Sequence, residues 1–325
     1  MAYLPAVAII GSSMPKAITP QDKAKTELLE KFRKNSTGDM NAQKTAAEAG
    51  KEYLAKYPSD KDPAIKEIND WIAAYDSEVK GVDILNKVYR DKKYGEAFAP
   101  GKQFLTAEPN NIKVLTALGY AGLFSAAGGK DENSADAITY AKKAIQLIEE
   151  GKSPTDWKPF KSKDETLGWL NYALGLMNAR TNGAEAIVFL TKSAQFDGAP
   201  KTDPTVYYYL ATLLELDYND LRDNYSKTYS GKTETPESKA AMEAITAKID
   251  RIVDAYARLI AYLDADPAMT QRFQSQRAGW MEKLTTFYKF RHNNSDSGLK
   301  DMVAEIRTKP MPGQAATLTA KPLSP

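Results

Sequence analysis

Leu118-Gly119-Tyr120 and, 49 residues later, Leu167-Gly168-Trp169 decide how this chain is read. The same offset carries Ala135-Asp136-Ala137-Ile138 onto Ala184-Glu185-Ala186-Ile187, so two long patterns between Tyr94 and Phe196 share one register. Each copy holds a Gly-containing helical pattern followed by an Ala-rich one. Self-similarity at a fixed period of tens of residues signals stacked supersecondary units, here helical hairpins.

Working outward, 325 residues are enough for two ordinary domains or for one array that grows by stacking. Hydrophobic residues make up 42% and charged residues 26%, which places the chain in the globular class and away from disorder. The 44 Lys+Arg against 42 Asp+Glu leave a net charge of +2, so no overall field draws the chain to nucleic acid or anionic lipid. With no cysteine, disulfides, thiolate metal sites and cysteine nucleophiles are excluded. No apolar run approaches the ~20 residues that span a bilayer.

Leu4 to Ile10 followed by Gly11-Ser12-Ser13 reads in two ways. It resembles the end of an export signal whose basic front is missing, or it is a disordered leader. Three prolines and no helical period in residues 1–20 weigh toward export, periplasmic or extracellular, over a cytoplasmic place. Residues 1–19 are therefore set apart from a helical-repeat domain over 20–308, and Lys309 to Pro325, with four prolines, reads as a flexible tail.

Within 20–308, residues 20–62 predict an N-terminal hairpin, with helices from Pro20 and from about Asn41 to Tyr57. A long helix of about 28 residues begins at Pro63, with Gly81 as a bend, and opens the repeats of 63–200. The C-terminal helices of 201–308 run from Val206 to about Tyr225, Pro236 to Asp264, Pro267 to about Phe290 and Leu299 to Ile306. Met242, Ile245, Ile249, Ile252, Tyr256, Leu259 and Leu263 recur at three and four residues, which fits either a dimer seam or a hairpin that caps the array. Monomer and homodimer both stay open.

Ala97 near a helix start, Leu105 near its end, Pro109 twelve residues after that Ala, Leu118-Gly119 in the next helix, and Ala137, Ala141 and Ala144 in the one after form a specific set. In these positions the chain resembles the tetratricopeptide-repeat family, in divergent form, over about residues 63–200. The resemblance implies an all-α fold in which antiparallel hairpins stack as a right-handed solenoid, closed by a long C-terminal hairpin. Gly or Ala is needed where neighbouring helices cross closely. The period of 49 exceeds the family's usual 34, with the extra length read between the helices of each copy, Ala126 to Ser134 and Asn178 to Gly183. Pro100 inside a helical run predicts a kink or a late start.

Motifs for chemistry are weak. His292 is the sole histidine and sits at a helix end, where a cation caps. Asp131-Glu132-Asn133 lacks the later ligands of a calcium loop, Gly128-Gly129-Lys130 is a fragment of a phosphate loop with no strand before it, and no carboxylate pair stands out. No catalytic residue, metal ligand or cofactor is assigned, and nucleic acid is not expected as a partner.

The aromatic residues carry more. Trp71, Tyr120 and Trp169 fall at successive intervals of 49. In tetratricopeptide proteins first-helix side chains line the concave groove, and the resemblance nominates Lys113, Thr116, Tyr120, Glu165, Trp169 and Tyr172 as groove residues. The alternative is that these rings pack between hairpins. The function implied is a non-catalytic scaffold for a protein or peptide; the second reading is an exported binder of glycans or small molecules, with rings that stack on sugars.

Overall fold

The computed structural model describes residues 19–58, 61–129 and 132–312, and among them every regular element is helical, with no strand. The all-α expectation therefore holds. The leader reading falls on residues outside the described set, save Thr19. The chain divides into two compact units, residues 1–82 and 83–325.

In the first unit, α1 (Pro20–Asn35) starts at a capping box in which Thr19 and Asp22 satisfy each other's backbone N–H groups. Asp39 caps α2 (Met40–Lys56) by accepting from the N–H groups of Asn41 and Ala42. The two helices pack as a hairpin. Phe32, Ala46, Ala49, Tyr53, Ala64 and Ile68 form a core that is closed to solvent. Trp71, on α3 (Ala64–Tyr89), stacks on Tyr75 at 5.2 Å between ring centres, meets Phe32 edge-on, and donates its indole N–H to the carbonyl of Ser36 at 3.2 Å. The boundary between the units falls inside α3, between Val82 and Asp83.

The second unit begins with a 3-10 turn, Gly95–Ala97, and α4 (Phe98–Ala107). Pro100 lies in the first turn of α4, where its missing N–H has no helical partner to lose, so the proline delays the helix instead of bending it. Next come α5 (Ile112–Ala127), α6 (Ser134–Glu149), α7 (Lys163–Asn178) and α8 (Gly183–Gln195). Each of α5 and α7 packs against the helix that follows it, and the two also pack on one another. Both are accordingly buried over most of their length, α5 with largely apolar residues and α7 with Thr166, Asn171 and Asn178 among them. Gly119 shows what the small residues do: a Cβ there would stand 2.9 Å from the Ala141 Cβ and 3.0 Å from a Leu170 methyl. The α5–α6 crossing needs both the Gly and the Ala.

A one-turn helix, α9 (Ala199–Thr202), leads to α10 (Pro204–Tyr229), which packs on α8 and on α11 (Pro236–Ala265). The helix expected as one rod from Pro267 is broken. α12 (Pro267–Arg272) ends at Phe273, whose backbone leaves the helical region (φ −110°, ψ 19°), and α13 (Gln274–Arg291) starts beyond it. α11 packs against α10 and α13, and its Ile245, Ile249, Ile252, Tyr256, Leu259 and Leu263 are all buried inside this chain. The stripe is thus buried within one molecule from Ile245 onward, while Met242 at its start is exposed. α14 (Leu299–Glu305) and a 3-10 turn, Ile306–Thr308, close onto α11.

Lys309 to Met311, expected as part of a flexible tail, are held against the helices. The buried guanidinium of Arg258 pairs with Asp254 at 2.8 Å and also donates to the carbonyls of Lys309 (3.1 Å) and Pro310 (2.8 Å), while Met311 packs on the core. Residues 313–325 lie outside the described set. None of the described helices is long and apolar enough to cross a membrane.

A candidate binding cleft beside the aromatic residues

The rings of the second unit touch in an unbroken chain. Tyr94 stacks on Phe124 (4.8 Å), Phe124 meets Tyr120 (4.9 Å), Tyr120 meets Trp169 edge-on (5.5 Å), and Trp169 meets Tyr172 (6.0 Å). From Tyr172 the contacts continue to Tyr209 (6.5 Å), Tyr208 (5.2 Å), Trp280 (5.4 Å) and Phe273 (5.7 Å). All of these separations lie within or near the range in which aromatic pairs attract through their quadrupoles. The chain of rings crosses α5, α7, α10 and α13, the first three of which each pack against the helix that follows.

Two stretches of it differ in what covers them. At Tyr120 the segment 150–162, which joins α6 to α7, lies over the ring. Phe160 meets Tyr89 (5.8 Å) and Tyr120 (5.6 Å) edge-on, and Asp156 pairs with Lys113 at 3.1 Å. The Lys113 ammonium, then the backbone N–H of Lys158, holds the Asp156 carboxyl below its usual range. The space left between this segment, Tyr89 and Thr116 is about 10 Å³. Burial above all, with the Tyr94 charge second, pushes the Tyr120 hydroxyl up to about 12.

Beside α7 and α10 the covering segment is shorter. Residues 196–203 join α8 to α10, and here Glu165 acts as a clasp: it is buried, and its carboxylate accepts from the N–H groups of Lys161 (2.7 Å) and Ala199 (3.3 Å). Gly198, at φ 155°, fits against Glu165 with no room for a Cβ. The connector walls a cleft without filling it. The cleft holds about 500 Å³, within the range of small-ligand sites. Phe124, Trp169, Tyr172 and Tyr209 give its aromatic lining, Leu123, Leu176, Pro204 and Met269 its aliphatic lining, and Asp203, Asp266, Thr205 and Arg272 its polar groups.

These polar groups are fixed to different degrees. Asp203 Oδ1 accepts from the N–H (2.8 Å) and hydroxyl (2.6 Å) of Thr205, and so caps α10. The Thr205 hydroxyl has one proton, already given to Asp203, so at 2.8 Å it is the Tyr172 hydroxyl that donates to Thr205. Burial first, then the Asp203 charge, raises the Tyr172 pKa, and burial with the Tyr208 and Asp203 charges raises that of Tyr209. Both phenols stay neutral donors. Asp266 Oδ1 accepts from the N–H groups of Ala268 (2.9 Å) and Met269 (3.1 Å) and caps α12. Arg272 is exposed, lies over the Phe273 ring at 5.1 Å, and forms no ion pair among the described residues. The arrangement offers flat apolar faces, two carboxylate oxygens not used by the caps, and one guanidinium with no ion pair among the described residues.

The structure places the six nominated residues in three settings. Trp169 and Tyr172 line the open cleft; Lys113, Thr116 and Tyr120 lie under the 150–162 segment; Glu165 joins the two connectors. Trp71 belongs to the core of the first unit. Among the described residues no group of three metal-ligating side chains gathers. His292 follows α13 and stacks on Tyr288 at 3.9 Å. Sequence reasoning missed Arg272, Asp203, Asp266, Tyr209 and Phe160. Tyr209 was signalled by the Tyr207-Tyr208-Tyr209 run, but no repeat offset pointed to the others.

Comparison supplies no relative. No family model, no curated protein and no solved structure matches this chain.

Proposed function

We propose that the chain is a non-catalytic scaffold of tetratricopeptide-like hairpins, arranged as a solenoid, that holds a peptide segment of a partner protein in the cleft bounded by Trp169, Tyr172, Tyr209 and Arg272. The observation that carries this reading is the aromatic chain itself, which is covered by residues 150–162 at Tyr120 and borders an open cleft at Trp169, Tyr172 and Tyr209. Rigid helices fix the rings before binding, so little order has to be created when a ligand arrives. Aromatic and Arg side chains around a partly enclosed pocket are the usual anchors of peptide recognition. The order of hairpins, α5–α6, α7–α8 and α10–α11, supports the repeat arrangement.

One observation favours a glycan as the second reading. Asp203 and Asp266 each keep an oxygen beside the rings, and a carboxylate next to an aromatic face suits sugar hydroxyls.

Panning a displayed peptide library on the intact chain, beside an oligosaccharide array, decides between the two. The scaffold reading expects enriched peptides whose binding falls in Trp169→Ala and in Met269→Ala while both variants melt cooperatively. Oligosaccharide binding lost in the same variants, with no peptide enriched, would overturn it.

A further inference from the structure

The 150–162 segment is a bound peptide that happens to be covalently attached, and it shows what the aromatic chain accepts. We infer that the open cleft takes an aromatic side chain from a partner segment carrying an acidic residue a few positions away, in the manner of Asp156-Trp157-Lys158-Pro159-Phe160. The inference rests on the peptide-scaffold reading and names the chemistry of its ligand.

Two features of the attached segment make its contact. Phe160 inserts a ring edge-on against Tyr89 and Tyr120, and Asp156 reaches the Lys113 ammonium. Both features have a counterpart at the cleft. Trp169 stands 49 residues after Tyr120, touches it ring to ring, and presents the next stretch of the same aromatic chain. The cation at the cleft is Arg272, which is exposed and has no ion pair among the described residues, whereas Lys113 already has Asp156. The carboxylates at the cleft do not take the cation's role in reverse. Asp203 and Asp266 are both committed as helix caps through one oxygen. What the cleft leaves open is space beside Trp169, Tyr172 and Tyr209 and a guanidinium with no ion pair among the described residues. The difference between the two places is the length of the connector: residues 150–162 reach across α5, while residues 196–203 stop at the wall.

The test uses the intact chain and a fluorescein-labelled peptide with the sequence of residues 152–161, followed by anisotropy. Saturable one-to-one binding is expected, weakened about fivefold by Arg272→Ala, as for an exposed charge pair. Binding should be lost when the peptide carries the Phe160→Ala change and reduced when it carries Asp156→Asn. Sensitivity to Arg272 places the peptide in the cleft and not in the seat of a displaced 150–162 segment. Arg272 is a surface residue, so its variant should melt as the parent does.

No binding, or binding indifferent to both Arg272→Ala and the Phe160→Ala peptide, overturns the inference. In that case library peptides of other chemistry that still need Trp169 leave the scaffold reading standing, whereas oligosaccharides as the sole ligands remove both.

Discussion

Gly119 and Gly168 each follow a leucine in two sequence patterns 49 residues apart, yet replacing each by Ala should move stability in opposite directions. In a helix interior Ala is favoured over Gly by about 1 kcal/mol. At Gly168 a Cβ would have Pro200 Cγ at 3.4 Å, Phe196 Cβ at 3.6 Å and Pro200 Cβ at 3.7 Å, all ordinary contacts, so the gain is kept. At Gly119 the same atom would meet Ala141 Cβ at 2.9 Å, Leu170 Cδ2 at 3.0 Å and Ala141 Cα at 3.1 Å. One of those neighbours is backbone and another is a methyl fixed to it, so α5 and α6 must separate. Overpacking of this kind costs about 1–3 kcal/mol, which outweighs the helical gain at most values in that range. The two variants should then differ by roughly 1–3 kcal/mol, Gly168→Ala above the parent and Gly119→Ala below it. For a cooperative unit of this size that is a gap of about 2–12 °C in Tm. Calorimetry of both variants beside the parent measures it. Equal shifts of the same sign would show that the α5–α6 crossing is not as close as described.

Arg258→Met leaves the Asp254 carboxylate buried without its partner and should cost about 3–5 kcal/mol, while Asp254→Leu/Arg258→Met should recover most of it; urea unfolding of both compares them, and equal losses would refute the pairing. In both, amide exchange over residues 306–312 should quicken, because Arg258 also holds the Lys309 and Pro310 carbonyls. Phe160→Ala should raise amide exchange in 150–162 without changing that of α11; unchanged exchange in the segment would mean that the ring does not hold it. The Tyr120 hydroxyl, raised from 10.0 to about 12, keeps its proton in the folded state where the unfolded chain has released it. Its contribution is whole below pH 10 and is lost as the pH rises through about 12, so the parent should lose stability relative to Tyr120→Phe across that window. Urea midpoints that stay parallel from pH 9 to 11.5 would contradict the burial of that hydroxyl.

The helices were legible because their signals are local. Thr19 with Asp22, Asp39, Asp203 and Thr235 are caps written in the sequence, and the three-and-four spacing along α11 marks its buried stripe. The Gly119–Ala141 crossing was also readable, since small residues at such spacing have few other uses. Gly168 was not, for identical letters gave no sign that its neighbour would be Pro200 at ordinary distance. The break at Phe273 escaped because α12 and α13 share one helical pattern, and only the ring contacts of Phe273 with Trp280 and Arg272 distinguish the residue. The candidate site was half visible. Trp169 and Tyr172 could be named from the repeat, but Arg272 reaches the cleft from a helix outside it, and no periodic argument connects the two.

The extra length of the repeat was read as falling between the helices of each copy, and most of it falls between the hairpins instead. Residues 150–162 separate α6 from α7, far more chain than the four residues 108–111 that separate α4 from α5. That placement decides which rings are covered more than the Leu-Gly pattern does. Tyr120 and Trp169 are equivalent by sequence, sit on equivalent helices and touch each other. One is covered because the connector after its hairpin is long and carries Phe160; the other borders an open cleft because the connector after its hairpin is short and turns at Gly198 against Glu165. A family resemblance assigns both rings to one groove, since it weighs the helices and ignores what joins them. In this chain the joining segments decide which part of the aromatic chain a ligand can reach, and a variant with residues 152–161 replaced by a short Gly/Ser linker should extend the accessible rings back to Tyr89.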